Sequence, residues 1–260
     1  MKKILTFILI AAMLCTALIS CNSQKSDLAA VEKAGKLVVG VTVYPPMDYL
    51  DENGEWTGFD AELAKMFAEE LGVNCQLVII PWSNKVAELD GRQIDLVWNG
   101  MTASDELGEK IDFSVSYAKN AQVAVVKKGS TLTAEGVKDA TIAVENGSAG
   151  ATVAEETIKG TKINKVTAMV DALNEVLAGT SEVAIIDITM AQSVVGKGSY
   201  EDLQILEGAS YGDEIFAVGL RKGSDLKAKL DEFLKAKYAD GTLTALAEKY
   251  QVGLNTDALK

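Results

Sequence analysis

No histidine occurs anywhere in the 260 residues, and with it go the commonest general base and the commonest metal ligand. A serine or cysteine nucleophile activated by histidine is excluded in the same stroke. Cysteine is almost as scarce. Cys15 lies in an apolar leader, Cys21 closes it, and Cys75 alone is left for the folded body. An intramolecular disulfide or a thiolate metal cluster therefore has no residues to form from. Cys75 opens the strand-like run Cys75–Ile80, where a buried, inert thiol is expected. Positive charge is short too: the formal net charge is −12, and losing Lys2 and Lys3 with the leader takes it to −14. Such a surface repels phosphate backbones and anionic headgroups, which excludes nucleic acid as a partner. The chain reads as a binder without metal or cofactor.

What is present begins with the leader. Lys2 and Lys3 precede an almost wholly apolar run from Ile4 to Ile19, and Leu18-Ile19-Ser20-Cys21 closes it. That is the layout of a bacterial lipoprotein signal. The run is short for a membrane span and a processing site follows at once, so residues 1–20 are set aside from the fold. The mature chain is expected to start at an acylated (palmitate-bearing) Cys21, with residues 21–27 as a polar tether. An ordinary cleaved signal or a short anchor helix is the alternative, and either puts the fold on the extracytoplasmic face of the cell membrane. About 235 residues remain, enough for one large domain or two modest ones.

Apolar β-rich runs then alternate with amphipathic helical patterns. Leu37–Val41 reads as a strand, Tyr44-Pro45-Pro46 as a turn and Asp51–Gly54 as a hairpin. Asp60 is placed to cap a helix striped by Leu63, Met66, Phe67 and Leu71 and ended by Gly72. Strands are expected at Leu77–Ile80, Ile94–Trp98, Ala121–Val126, Thr141–Val144 and Val183–Ile186. Helices fall between them, one opening at Gly147–Gly150 and one striped by Val170, Leu173, Val176 and Leu177. The tail is helical: Ser224 is placed to cap a helix striped by Leu226, Leu230, Phe233 and Leu234, and Asp240-Gly241-Thr242 breaks it before a second stripe of Leu243, Leu246, Ala247 and Tyr250. The alternation predicts an α/β fold with mainly parallel sheets in two lobes.

Five stretches, in order along the mature chain, carry a resemblance. They are Leu37–Gly40 with Tyr44-Pro45-Pro46, Gly54–Asp60, Asp95–Thr102, Val183–Asp187, and Arg221–Asp225 with Tyr238–Gly241. Together they resemble the periplasmic-type substrate-binding proteins of ABC transporters, in the branch for polar amino acids. The resemblance implies a two-lobed, Venus-flytrap-like periplasmic-binding-protein fold with two crossing strands. One lobe would comprise residues 28–122 and 216–260, and the other 123–215, with hinges near Gln122 and Gly212–Glu214. It also implies a monomer that takes a small-molecule ligand in the cleft and delivers it to an ABC permease.

Carried over position by position, Tyr44 and Trp82 would be aromatic walls, whose faces attract a cation. Trp98 reads equally as core, and Tyr44 equally as an anchor for its turn. The loop Asn99-Gly100-Met101-Thr102 would offer a carbonyl, a hydroxyl and an N–H. Ser148, Ala149 and Gly150, at a helix start, would receive an anion. Asp187 would pair with the ligand's ammonium, its competing role being an N-cap. Phe59 and Asp60 read as structural.

The resemblance fails at one informative place. The family's arginine, which clamps a ligand carboxylate, is Leu107 here, and neither Arg92 nor Arg221 is placed to substitute. The family's acidic residue on the first strand is also missing, in Val41-Thr42-Val43. Two ligand classes follow. One is an amino acid whose carboxylate rests on Thr102 and Ser148–Gly150, with Lys85 as a further candidate. The other is a carboxylate-free amine or quaternary ammonium held by Tyr44, Trp82, Trp98 and Asp187. A dehydratase-like enzyme and a sensor on the same scaffold are the remaining alternatives.

Overall fold

The computed structural model describes residues 26–260; the leader, the acylation motif and Cys21 lie outside them. The chain enters through helix α1 (Asp27–Ala34), strand β1 (Lys36–Val41), a hairpin of β2 (Tyr49–Leu50) and β3 (Trp56–Thr57), then α2 (Phe59–Glu70) and β4 (Asn74–Ile79). A short 3₁₀ turn at Trp82–Asn84 leads into α3 (Lys85–Asp90), followed by β5 (Leu96–Val97), α4 (Asp105–Lys110) and β6 (Ile111–Phe113). The second lobe holds β7 (Ala118–Lys127), β8 (Thr141–Glu145), α5 (Ala149–Thr152), β9 (Lys162–Val166), α6 (Met169–Ala178), β10 (Val183–Asp187), α7 (Ile188–Val194) and β11 (Leu203–Phe216). The chain then returns through β12 (Gly219–Arg221), α8 (Leu226–Ala239), α9 (Thr242–Tyr250) and α10 (Thr256–Leu259).

One sheet has the order β4-β1-β5-β12-β6 and the other β11-β7-β10-β8-β9. Both are mixed, where mainly parallel sheets were expected. β1 runs parallel to β4 and β5, and β8 parallel to β9 and β10. The antiparallel half comes from the crossings: β12 against β5 and β6, and β7 against β10 and β11. A strand that enters or leaves a lobe directly, without a crossover helix, can pair antiparallel. β7 and β11 pair from Lys127↔Leu203 to Ala118↔Phe216. At that end Phe216 bridges to Thr102 and Ala118 to Leu254, which carries the pair into the first lobe.

Two expected caps are displaced. α2 starts at Phe59 with Gly58 as its cap, so Asp60 sits inside the first turn with its carboxylate turned into the core. α8 is capped at Asp225 and not Ser224, and the Asp225 carboxylate reaches the N–H groups of Asp27 and Leu28 instead. The predicted tail stripe holds in full, with Leu243, Leu246, Ala247 and Tyr250 buried along α9.

Cys75 is half-buried on β4, an edge strand, and burial pushes its thiol up to about 11, which keeps it protonated. Both arginines lie at the foot of the first lobe. Arg221 donates to Asp27 at 2.9 Å, to Asp95 at 3.3 Å, and to the carbonyls of Leu89 and Ile94 at 3.0 and 2.6 Å. Arg92 meets the other oxygen of Asp27.

Candidate functional site

A cavity of about 590 Å³ opens between the lobes, at the carboxyl ends of β5, β8 and β10. That is where ligands settle in open α/β sheets. From the first lobe it is lined by Tyr44, Trp82, Lys85, the loop Asn99–Thr102 and Leu107. The second lobe contributes Glu145, Ser148, Ala149 and Asp187, and the crossing strand adds Glu214. The lobes touch at its rim. Lys85 Nζ donates to the Gly147 carbonyl across the gap at 2.9 Å, and a Cβ on Gly147 (φ 74°) would stand 3.0 Å from Ser83 Cα. A side chain at position 147 would hold the lobes apart.

Tyr44 stands on the cavity wall because residue 100 is glycine. At φ 55°, a Cβ there would lie 2.6 Å from the Tyr44 ring. The loop is gripped from behind by two fully buried carboxyls. Asp60 Oδ2 accepts from the Gly100 N–H at 2.7 Å and from Tyr117 Oη at 2.8 Å, and Asp48 Oδ2 accepts from Asn99 Nδ2 at 2.7 Å. Asn99 therefore lines the cavity while its amide serves Thr42 and Asp48. Burial, and then the charge of Asp60, drives the Asp48 carboxyl well above its usual range.

Two predicted residues do not line the cavity. Trp98 is fully buried among Phe67, Tyr117 and Phe233, because the strand's alternation turns it to the opposite face from the site. Gly150 packs against β10, where a Cβ would come 2.8 Å from the Ile185 carbonyl. Ser148 lies on the wall, but its hydroxyl is spent as the N-cap acceptor of Ala151 at 3.1 Å.

Asp187 occupies the N-cap position of α7 without capping it. Its Oδ1 accepts from Asn120 Nδ2 at 2.7 Å and from Gln122 Nε2. The Tyr44 hydroxyl lies beside it and bonds fully to no described residue. Burial, and next the charge of Glu214, push the Asp187 carboxyl up to about 7. Glu145 is 3 % exposed, its Oε1 has no partner among the described residues, and burial followed by the Asp187 charge takes it up to about 8. Lys85 is the buried cation of the wall; desolvation brings it down to about 8 against the opposing pull of Glu145. Lys110, at the mouth, is exposed and paired with Glu106 at 2.7 Å. The cavity wall thus holds more acids than cations, and burial favours the protonated form of Asp187 and Glu145 until a cation stands beside them, which suits a ligand with a net positive charge.

Glu145 and Asn120 escaped the sequence reading, and Gln122 and Glu214 entered it only as hinge positions, not as site residues. A signal existed for Glu145. Thr141–Glu145 and Val183–Asp187 are both apolar strands ending in an acid, and the two acids face one cavity.

This fold and cleft are those of a two-lobed solute receptor, and the comparisons agree. Residues 37–253 match the bacterial extracellular solute-binding proteins, family 3, and the chain belongs to that family of binding proteins. It is 31 % identical over 228 residues to the L-cystine-binding protein TcyJ of Escherichia coli, covering 86 % of this chain and 85 % of that one. With the arginine-binding extracellular protein ArtP of Bacillus subtilis it shares 30 % over 263 residues, covering 97 % and 99 %. The histidine-bound substrate-binding protein of an ABC uptake transporter from Streptococcus pneumoniae superposes with a TM-score of 0.80 at 29 % identity, over 88 % of this chain and 97 % of that one.

Proposed function

We propose that this extracytoplasmic protein is the receptor of an ABC importer for a cationic amino acid, closing on it between the lobes. The chain is an amino acid-binding component of such a system, like the cystine- and arginine-binding proteins it resembles. The unpartnered, buried Glu145 oxygen carries the finer reading, because a desolvated carboxyl facing the cavity ionises readily only when a cation stands beside it. In this arrangement the α-ammonium meets Asp187 between Tyr44 and Trp82. The side-chain cation meets Glu145, and the carboxylate faces Lys85 in place of the family arginine. Hinge bending near Gln122 and residues 212–214 lets the two lobes, 28–122 with 216–260 and 123–215, close over it, and the ligand stabilises closure by bridging them.

Glu145→Gln separates the ligand classes. Titration with arginine, lysine and glutamine is expected to show the two cations losing at least about tenfold in affinity while glutamine is unchanged or gains. Equal losses for all three would sink the cationic reading. The anchor at Cys21 belongs to the same proposal: palmitate labelling in a bacterial host should vanish in Cys21→Ser, and persistent labelling would refute it.

A further inference from the structure

Glu214 stands on β11, the strand by which the chain leaves the second lobe, and a single oxygen of it gathers three hydrogen bonds. Oε2 accepts from Thr102 Oγ1 at 2.9 Å, from Asn120 Nδ2 at 2.9 Å and from Gln122 Nε2 at 3.0 Å. Thr102 belongs to the first lobe's cavity loop, whereas Asn120 and Gln122 belong to β7. The same two amide nitrogens donate to Asp187 Oδ1. The Asn120 amide is oriented from its other side, since its carbonyl accepts from Thr189 Oγ1 at 3.0 Å.

Two carboxylates are thus stitched side by side by neutral donors, both on the cavity wall. Among the described residues, neither has a lysine or arginine nitrogen within 4.0 Å; the nearest buried cation, Lys85, faces Glu145. Amide N–H groups offset a carboxylate but do not cancel its charge. A pair held this way is a built receptacle for a cation, and Asp187 is only half of it.

We propose that Glu214 is a second acidic anchor, so that the ligand's ammonium is held between Asp187 and Glu214. Because Glu214 also holds Thr102, loading the pair fastens the first lobe's loop to the crossing strand. This rests on the reading above that an ammonium sits at Asp187. It has a protonic consequence. The groups facing the pair are Tyr44 from the turn after β1, Glu145 from β8 and, beyond it, Lys85 from α3. Burial and the Glu214 charge hold Asp187 at about 7, so an entering ammonium displaces a proton near neutrality. Removing the Glu214 charge removes part of that effect.

The test is calorimetry on the full chain with L-arginine and with agmatine, its decarboxylated analogue. Each is titrated between about pH 6 and pH 8 in buffers of differing ionisation enthalpy. For the wild type, binding should release protons and tighten as pH rises. In Glu214→Gln, affinity should fall at least tenfold, and both the proton release and the pH slope should shrink. Thermal melts of the ligand-free variant confirm folding, and Glu214→Asp should restore part of the slope. Affinity and proton release within twofold of wild type in Glu214→Gln would overturn the second anchor. Agmatine binding as tightly as arginine would overturn the amino-acid reading while leaving the anchor tested on agmatine. Heat from neither compound would overturn both.

Discussion

Asp187→Asn is expected to weaken amino acid binding by at least about 30-fold, the cost of about 2 kcal/mol or more for removing one charge from a desolvated, hydrogen-bonded pair. The substitution keeps the side chain's shape and one acceptor oxygen, so a folding defect does not explain the loss. Stability should move the opposite way. In the ligand-free protein the Asp187 carboxyl sits at about 7, above its ordinary 3.8, because burial and the Glu214 charge disfavour ionisation. A carboxyl raised on folding binds its proton more tightly in the native state. Its stabilising contribution is therefore full below about pH 4 and lost as pH climbs toward about 7. Glu145, raised to about 8, and Asp60, raised to about 7, act in the same direction. The melting temperature of the ligand-free wild type should accordingly fall from about pH 5 to about pH 7. Asp187→Asn should flatten that fall and melt higher at neutral pH, while the shift produced by ligand disappears. A variant that binds normally, or melts lower at pH 7 than wild type, would show that this carboxylate is not the anchor.

The largest stability effect is expected at Arg221, far from the cleft. Arg221→Met should cost about 3 to 5 kcal/mol in denaturant unfolding, the penalty for breaking a buried ion pair from one side. Asp27 is 3 % exposed and takes Arg221 and Arg92 on its two oxygens. Removing the first leaves Asp27 Oδ2 without its buried partner, with only the half-exposed Arg92 on the other oxygen, and strands the Leu89 and Ile94 carbonyls that the guanidinium also satisfies. Ligand affinity, measured where the variant remains folded, should stay within about twofold, since no atom of this cluster lines the cavity. A small stability loss would mean that the cluster relaxes to admit water.

Much of this was legible in the residues. The strand at Leu37–Val41, the stripe of α9 and the acid ending Val183–Asp187 follow from periodicity and local turn chemistry. The segments left unread, whole strands or the ends of strands, share one property: their polarity does not follow a strand's alternation. β11 runs Leu203–Phe216 with two glycines and mixed polarity, and its burial follows no period of two. β9 is a half-exposed edge strand, so one face bears little apolar demand. β7 reaches back through Lys119 and Asn120, polar residues that look like loop until their partners on β11 and α7 are seen. Trp98 was ambiguous for the same reason: a strand's alternation shows that neighbours face opposite ways, but which face meets the cavity depends on the sheet's packing.

By itself the sequence determined the chemistry available: no histidine, one thiol in the body, an excess of acids over bases, and alternating strands and helices that make a two-lobed α/β fold. These are questions of which atoms exist and how apolar residues recur, and chain order answers them. Only the tertiary structure decided that Asp187, Glu145 and Glu214, more than 25 residues apart from one another along the chain, share one cavity wall, and that Asp60 grips a loop instead of capping a helix. Charge becomes specific when water is excluded from around it, and exclusion of water is a property of the assembled lobes.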